Sequence, residues 1–514
     1  MSLSVLLDMM ADARPDQVAL GTLEDGLTCA QLRSAAIRGS AGLRPTERRT
    51  VVYVGVNGID FSVALWSAVL AGMSFCPLNY RLSAAQLRRL LDAVPDPLVL
   101  VGDGYESLLA DCPAPTRSLT GFSTTACDHT AGVPAAPPVG DDEGSVLLFT
   151  SGTASTPKAV VLSQANLLSY VLETVDFGSA EPGDAIVVSM PPYHIAGLNA
   201  ALTNPYAGRR VVYLPNFDAA TWLELVRRES ITHAMVVPTM LARILEFLGG
   251  ALAEVPSLRT LSYGGARMPR AVLEGALAAF PSVDFVNAYG LTETSSTIAL
   301  LGPADHRAAA ASNDPLGRAR LSSVGRPLPG IEIEVRSGAG ALQPPGLTGE
   351  LWVRGPQISG QYLEQGSVLD EYGWFPTRDR ARVDAEGYIY VEGRADDTII
   401  RGGENIAPTE IEEVLIAHEE IVDAAVIGRP DEEWGERILA AIVLAPGASL
   451  DADAVRDHAR DRLRSSRTPD DVVFVDALPY TSTGKLIRRD LARVISRAHP
   501  ARPGPSADGT ASRG

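Results

Sequence analysis

A short loop that could bind phosphate lies directly after the apolar run 146–149. It reads Thr150-Ser151-Gly152-Thr153-Ala154-Ser155-Thr156-Pro157-Lys158. Hydroxyl side chains and a glycine at a strand end let backbone N–H groups converge on phosphate oxygens, and Lys158 supplies a cation. The loop is not a Walker A motif, because Pro157 and Ala159 flank the lysine where Gly and Ser or Thr are needed. Taken alone, the loop fits an ordinary polar connection equally well.

Lysine is rare in this chain. Only Lys158 and Lys485 occur among its 44 basic residues, and all the others are arginine. Lysine is a compact point charge on a flexible stem, so it reaches a crowded phosphate or carboxylate where a guanidinium cannot. We therefore expect both lysines to act on such oxygens. The alternative is that both are ordinary surface residues.

The loop is one of several segments that resemble the motifs of a known superfamily. It is similar to the signature loop of the ANL superfamily of adenylate-forming enzymes, which comprises acyl-CoA synthetases, non-ribosomal peptide synthetase adenylation domains and luciferases. Further segments match in the same order over essentially the whole chain except the tail. They are PPYHIAG (191–197), YGGARMP (263–269), NAYGLTET (287–294), the run 373–412 and PYTSTGK (479–485).

The resemblance implies that the chain joins a small carboxylic acid to the α-phosphate of ATP with release of pyrophosphate. The acyl group then passes to a second nucleophile, with coenzyme A as the favoured acceptor. Glu293 would bind Mg²⁺, which prefers oxygen ligands, and Thr292 would contact the α-phosphate. A solvated carboxylate at a helix start is the alternative for Glu293. The β- and γ-phosphates would be held by Thr150, Ser151, Gly152, Thr153 and Lys158.

By the same resemblance, the nucleoside is assigned to two groups of residues. Adenine would lie between a glycine-rich backbone and the ring of Tyr289, with Asn287 as partner of the exocyclic amine. The ribose diol would be bound by Asp379 and supported by Arg394. Gly264 and Gly265, which would supply this backbone, could instead form a simple turn. The remaining residues of the nucleotide site are Ala266 and Gly290.

Lys485 resembles the lysine that enters the active site for adenylation, where it would steady charge between the carboxylate and the α-phosphate. Asp396 matches the hinge about which a small domain turns between the half-reactions. Turning would bring in the loop 402–405, which lines the thiol tunnel in relatives. An exposed linker acid is the alternative for Asp396.

His194 would border the acyl pocket, as an aromatic residue or histidine does in relatives, although a lone core histidine would be unremarkable. The segment 193–197 carries no carboxylate for a substrate ammonium, which disfavours an α-amino acid. Small and apolar residues are the other candidates for the pocket wall and favour a medium acyl or aryl acid. They are Gly197, Leu198, Val237, Met240, Gly290, Ser295 and Ser296.

The chain departs from the family pattern at three places. Ala154-Ser155 replaces the usual Thr-Gly, Ala159 replaces Gly, and Arg378 replaces the Gly before the ribose aspartate. We expect adenylation to survive these changes. They leave the acceptor open between coenzyme A, a carrier protein and an amine, including a ligase that activates nitrite for diazotisation of an arylamine. A non-catalytic nucleotide sensor is the alternative of another class.

The bulk composition sets the frame for this chemistry. A chain of 514 residues predicts more than one domain, and its net charge of −18 argues against a nucleic-acid-binding protein, which needs a basic face. The four cysteines lack CxxC spacing, which predicts free thiols. The uncharged run 61–80 is better explained by a buried helix and strand than by a membrane span. We predict a cytoplasmic protein without a signal peptide, and the resemblance allows a homodimer.

Apolar β-rich runs alternate with helical patterns through the first two thirds, which predicts an α/β fold with buried, largely parallel sheets. Short strands with Gly and Pro turns from Ile331 onward predict a small β subdomain, and the segment 113–144 is predicted to be a surface excursion. The predicted domains are 1–395, with two α/β subdomains and the β subdomain, and a mobile α+β domain at 396–498. Residues 499–514 should be disordered.

Overall fold

A computed structural model of the chain describes residues 2–44, 48–135, 140, 144–150, 157–401, 404–431, 434–481 and 486–498. The chain divides into two compact units. The first unit comprises Met1–Thr377 and Ala381–Val391, and the second comprises Arg378–Arg380 and Glu392–Gly514. The predicted domain boundary at 395/396 stays a prediction, and the predicted disordered tail lies outside the described residues.

The helices of the first unit lie between its strands along the chain. They are α1 (Ser4–Ala13), α2 (Cys29–Leu43), α3 (Ile59–Ala71), α4 (Ala84–Ala93), α5 (Leu119–Ala126), α6 (Gln164–Thr174), α7 (Ile195–Ala207), α8 (Ala219–Arg228), α9 (Pro238–Leu248), α10 (Arg270–Ala279), α11 (Pro303–Ala311) and α12 (Pro315–Ala319).

The strands up to residue 394 belong to three sheets. They are β1 (Val18–Leu20), β2 (Leu27–Thr28), β3 (Thr50–Val54), β4 (Ser74–Pro77), β5 (Pro97–Val101), β6 (Thr116–Ser118), β7 (Ser145–Thr150), β8 (Lys158–Ser163), β9 (Ala185–Val188), β10 (Arg210–Tyr213), β11 (His233–Val236), β12 (Thr260–Gly264), β13 (Asp284–Leu291), β14 (Ser296–Leu301), β15 (Arg326–Pro327), β16 (Glu332–Arg336), β17 (Gly349–Arg354), β18 (Gln361–Tyr362), β19 (Gly366–Ser367), β20 (Phe375–Val383) and β21 (Ile389–Arg394).

Two large sheets with parallel centres form the body of the first unit. One has the strand order β15-β14-β13-β12-β11-β9-β10-β1-β2 and is parallel from β13 to β1. The other has the order β19-β18-β8-β7-β4-β3-β5-β6 and is antiparallel on the side of β8. Their strands are apolar on both faces because helices cover both. The predicted α/β class is confirmed, and the sheet β16-β17-β20-β21 confirms the predicted β subdomain.

Local sequence signals fix where several helices begin and end. Thr28 and Ser83 form capping boxes at the starts of α2 and α4. The uncharged run 61–80 forms the buried helix α3 and then β4, as predicted, and α3 ends at Gly72 with a φ of 69°. No helix among the described residues is both long and apolar enough to cross a bilayer.

The described residues of the segment 113–144 lie mostly at the surface, as predicted, but they also form regular structure that was not predicted. The segment contributes β6, which pairs in parallel with β5 at the edge of a sheet, and then α5. The Ser118 hydroxyl begins α5 by accepting from the backbone N–H of Gly121 at 3.1 Å. A single serine cap within a stretch rich in Pro, Thr and Gly was too weak a signal to predict the helix.

The second unit has a sheet of its own. Its strands are β22 (Ile399–Arg401), β23 (Glu404–Ile406), β24 (Ile421–Asp431), β25 (Gly435–Leu444) and β26 (Asp471–Phe474), and its helices are α13 (Pro408–Ile416), α14 (Ala452–Arg460) and α15 (Arg488–Ala498). The strand order is β23-β22-β25-β24, with β26 parallel to β25. Alternate residues of β25 face two apolar clusters, one with Ala440 and one with Leu439.

Candidate active site

The ends of the phosphate loop are held together by a β-ladder. Thr150 and Lys158 are opposite each other at the last pair of the antiparallel strands β7 and β8. Lys158 is half-buried, and its Nζ donates a hydrogen bond to Gln365 Oε1 at 3.2 Å. Ser151, Gly152 and Thr153 lie outside the described residues, as does the Ala154-Ser155 departure, so their predicted role stays a prediction.

A tyrosine joins the predicted phosphate lysine to the predicted metal ligand. Glu293 lies in a 3₁₀ turn, Thr292–Thr294, directly after β13, and its Oε1 accepts a hydrogen bond from the Tyr362 hydroxyl at 2.7 Å. The Nζ of Lys158 lies over the ring of this tyrosine, 5.5 Å from the centroid. Residues 135 positions apart in sequence therefore share one small site.

The turn that carries Glu293 is rigidly built. Ser295 and Ser296 have φ values of 54° and 104°, a region that few non-glycine residues adopt. A Cβ on Gly290 would lie 1.8 Å from the carbonyl oxygen of Ser296, so only glycine fits there. Buried Gln357 donates from Nε2 to the carbonyls of Thr294 and Thr297, each at 2.9 Å. These contacts hold the backbone around Glu293 in one conformation.

The predicted adenine residues lie on neighbouring parallel strands. A Cβ on Gly264 would meet the carbonyl oxygen of Ala288 on β13 at 2.2 Å, and Gly265 has a φ of 80°. Both positions therefore require glycine. Asn287 Nδ2 donates to the Ser323 carbonyl at 3.1 Å, which leaves Oδ1 to accept from an amine. Ala266 follows β12 and Tyr289 lies in β13, and both residues are half-buried.

His194 is a neutral histidine at the start of α7. Burial, followed by the charge of Arg81, lowers its pKa to about 4, and its buried Nε2 has no hydrogen-bond partner among the described residues. Its ring packs against that of Tyr193, with centroids 4.6 Å apart. Helix α7 is tied to the turn after Glu293, because Asn199 Nδ2 donates to the Ser295 carbonyl at 2.6 Å.

The apolar residues predicted for the acid pocket are buried. Leu198 and Val237 are fully buried and Met240 is 6% exposed. Gly197 lies against the chain before α7, because a Cβ there would be 2.6 Å from the Pro191 carbonyl oxygen. Glycine at this position thus allows the first turn of α7 to pack closely against the segment that precedes it.

The predicted ribose residues belong to the second unit. Asp379 is buried and forms a 2.9 Å ion pair with Arg394, Nη1 to Oδ1. Arg378, the residue that replaces a family glycine, has a φ of 62° and therefore keeps the left-handed backbone that glycine favours. Lys485 and the loop residues Gly402 and Gly403 lie outside the described residues, and their predicted roles stay predictions.

Sequence reasoning missed Tyr362 and Gln357. Both act over long sequence separations, Tyr362 on Glu293 and Gln357 on Thr294 and Thr297. No spacing pattern marks such contacts in one sequence. The available signal was an aromatic residue just after Gly360, which is compatible with many structures.

Comparisons with known proteins show the family of the chain. Residues 7–363 match the family described as AMP-binding enzyme, and residues 410–485 match the AMP-binding enzyme C-terminal domain. The chain is similar to an indoleacetate–CoA ligase of Aromatoleum aromaticum, with 32% identity over 97% of this chain and 99% of that protein. It is also similar to a fatty acid–[acyl-carrier-protein] ligase of Streptomyces coeruleorubidus, with 32% identity over 88% and 87% of the two chains.

A solved structure gives the same result. The chain resembles O-succinylbenzoate coenzyme A synthetase from Bacillus subtilis in complex with ATP and magnesium ion, with a TM-score of 0.79 and 26% identity over 95% of this chain and 99% of that chain. The chain therefore belongs to the AMP-binding enzyme family, within the ANL superfamily of adenylate-forming enzymes. Within that class it is an AMP-forming acid ligase.

Proposed function

We propose that this ligase uses ATP and Mg²⁺ to convert a small carboxylic acid to its acyl-AMP and then transfers the acyl group to coenzyme A. The observation that carries the proposal is the convergence of Lys158 and Glu293 on the ring and hydroxyl of Tyr362. A cation for polyphosphate and a carboxylate for a hard metal ion are the two groups that a bound nucleoside triphosphate needs.

The residues present fit Mg²⁺. Glu293 Oε1 is hydrogen-bonded to a neutral hydroxyl, so its other oxygen can bind a cation. No cluster of three or more His, Cys, Asp or Glu residues occurs in the described part of the chain. Mg²⁺ is commonly held by one or two carboxylates together with substrate phosphates, so one acidic ligand is sufficient. The bound ion would neutralise charge on the phosphates.

The remaining roles follow the family resemblance. Lys158 and the phosphate loop bind the triphosphate, Thr292 contacts the α-phosphate, and Asp379 and Arg394 hold the ribose. Lys485 steadies the charge that develops as the acid attacks the α-phosphate, after which pyrophosphate leaves. The geometry of Asp379 supports its role, since an ion pair with Arg394 orients its carboxylate.

We propose an aryl or medium-chain acid as substrate. Leu198, Val237 and Met240 supply buried apolar surface, and neutral His194 adds no charge to it. The indoleacetate–CoA ligase relative acts on an aryl-substituted acid, which supports this choice. The second candidate function uses the same adenylation and transfers the acyl group to a carrier protein, and the acyl-carrier-protein ligase relative favours it.

A pyrophosphate-release screen tests the proposal. Purified protein is assayed with ATP and Mg²⁺ against aliphatic, aryl and cinnamyl-type acids and against nitrite. Acyl transfer from the best acid is then measured with coenzyme A, a phosphopantetheinylated carrier protein and an arylamine. We expect release with an aryl or medium-chain acid that Glu293→Gln reduces at least about 100-fold. Absence of acid-dependent release across the panel would instead support a nucleotide sensor. Cytoplasmic location and a homodimer stay predictions.

A further inference from the structure

Tyr362 contacts both charged groups of the candidate site through different atoms. Its hydroxyl donates to Glu293 Oε1 at 2.7 Å, and its ring face lies under the Lys158 ammonium, 5.5 Å from the centroid. The residue is half-buried. A neutral aromatic side chain thus links a cation and an anion that both have to bind MgATP.

The backbone fixes Tyr362 at this position from two sides. Its Cα is opposite that of Val160 in β8, two residues after Lys158, and the N–H of Leu363 donates to the Ala159 carbonyl at 2.9 Å. On the other side, the N–H of Ser359 donates to the Glu293 carbonyl at 2.9 Å. The strand β18 is therefore attached both to the strand that carries the lysine and to the turn that carries the glutamate.

The arrangement avoids a competing interaction. An ammonium and a carboxylate in one small site attract each other, and a direct ion pair would have to break before either could bind phosphate or metal. Within the described residues, Lys158 and Glu293 form no ion pair; the lysine donates to Gln365, and the carboxylate accepts from Tyr362. The tyrosine satisfies one carboxylate oxygen and leaves the other for a cation.

We propose that Tyr362 is a positioning residue that keeps the Lys158 ammonium and the Glu293 carboxylate apart and oriented for a triphosphate and its divalent cation. The inference rests on the proposed function of this site. Removal of the hydroxyl should loosen only the carboxylate, because the ring still separates the charges. Removal of the ring should also let the two charges pair with each other.

Binding of ATP and Mn²⁺ tests the proposal without turnover. The affinities for metal-free ATP and for MnATP are both measured by calorimetry, and the Mn²⁺ affinity of the protein–ATP complex follows from their ratio. The matched control is Tyr388→Phe. The Tyr388 hydroxyl donates to Asp305 Oδ1 at 2.6 Å, and Arg320 and Arg326 lie over its ring at 4.8 and 4.2 Å, so it reproduces the same interactions away from the site.

We expect Tyr362→Phe to weaken Mn²⁺ binding about 10-fold, as loss of a hydrogen bond to a metal ligand commonly does. Its metal-free ATP affinity should stay within about twofold of wild type, and Tyr388→Phe should change neither value. Tyr362→Leu should weaken metal-free ATP binding about 10-fold as well. Adding Glu293→Gln to Tyr362→Leu should restore that affinity, because the glutamine cannot pair with Lys158.

Unchanged Mn²⁺ affinity in Tyr362→Phe, or an equal change in Tyr388→Phe, would overturn the positioning role. Failure of Glu293→Gln to restore ATP binding in the leucine background would overturn the separation of charges. The Phe variant keeps the ring, so its result stands even if the Leu variant does not fold. Tyr362-dependent binding without pyrophosphate release for any acid would refute the proposed function alone, while an active enzyme insensitive to Tyr362→Phe would refute this inference alone.

Discussion

Arg378 has a backbone conformation that its side chain disfavours. Its φ of 62° lies in the left-handed region, which costs a non-glycine residue about 1–2 kcal/mol. Arg378 therefore differs from the family glycine in its side chain but keeps the left-handed backbone before Asp379, the predicted ribose residue. Such a position is strained but compatible with the ion pair between the neighbouring, buried Asp379 and Arg394.

Replacing Arg378 with glycine should relieve this strain. We expect Arg378→Gly to be more stable than Arg378→Ala by about 1 kcal/mol, since both variants lose the side chain and only glycine adopts this φ without penalty. Denaturant unfolding of the two variants measures the difference. A glycine variant that is no more stable than the alanine variant would show that the left-handed backbone is not strained.

The neutral state of His194 makes stability depend on pH. Its pKa is lowered from 6.5 to about 4 by burial, so the unfolded chain binds a proton that the folded chain excludes between these values. Stability conferred by the neutral ring is present above pH 6.5 and is lost as the pH falls towards 4. From pH 7.5 to 4.5 this amounts to about 2 kcal/mol.

We expect His194→Gln to lose about 2 kcal/mol less stability than wild type between pH 7.5 and 4.5, because glutamine does not titrate. Denaturant unfolding at the two pH values gives the difference. His233 also has a pKa lowered to about 4, by burial and then by Arg209, so only the comparison between variants isolates His194. Exposed His129→Gln is the control and should lose as much stability as wild type.

Among the elements, the turn after β13 depends on one buried amide. Gln357 is 2% exposed and donates to the carbonyl of Thr294 in the turn and to that of Thr297 in the following strand β14. Gln357→Leu should cost about 3 kcal/mol, because one buried and one partly buried acceptor lose their donor. It should also raise the KM for ATP, because Glu293 lies in the same turn. Unfolding and steady-state assays measure both effects.

Exposed Gln361→Leu is the control for this prediction, since it makes the same chemical change four residues away. We expect it to change stability by less than about 0.5 kcal/mol. If Gln357→Leu were as stable as this control, the turn would be held by its own backbone contacts and the amide would be dispensable.

Elements with a strong local signal could be predicted, and those set by distant contacts could not. Helix α4 (Ala84–Ala93) begins at a capping box of Ser83 and Gln86, a local pattern that can be read in the sequence. The pairing of β18 with β8 joins Tyr362 to Val160, about 200 positions away. Strand β18 has only two residues, which are too few to show an alternating pattern in the sequence. Motifs in the sequence therefore named Lys158 and Glu293 as candidates, whereas no motif pointed to Tyr362.

At the scale of the whole molecule, the resemblance predicts a division of chemistry between the two lysines. Lys158 begins β8 in the first unit, whereas Lys485 belongs to the second. If the second unit moves between half-reactions, Lys485 should act in adenylation and be absent when the acyl group is transferred. Lys158 should matter only while the triphosphate is bound, since pyrophosphate has left before transfer begins.

Separate assays of the two half-reactions therefore distinguish a specific role of each lysine from a general loss of function. We expect Lys485→Ala to slow acid-dependent pyrophosphate release about 100-fold or more, while coenzyme A still reacts with supplied acyl-AMP within about twofold of the wild-type rate. Lys158→Arg should raise the KM for ATP and likewise spare transfer, because a guanidinium keeps the charge but not the compact shape of an ammonium. Rapid-quench assays of each half-reaction measure these rates. If Lys485→Ala slowed both half-reactions equally, the lysine would support either the fold or both chemical steps. The proposed movement of the second unit would then not account for its role.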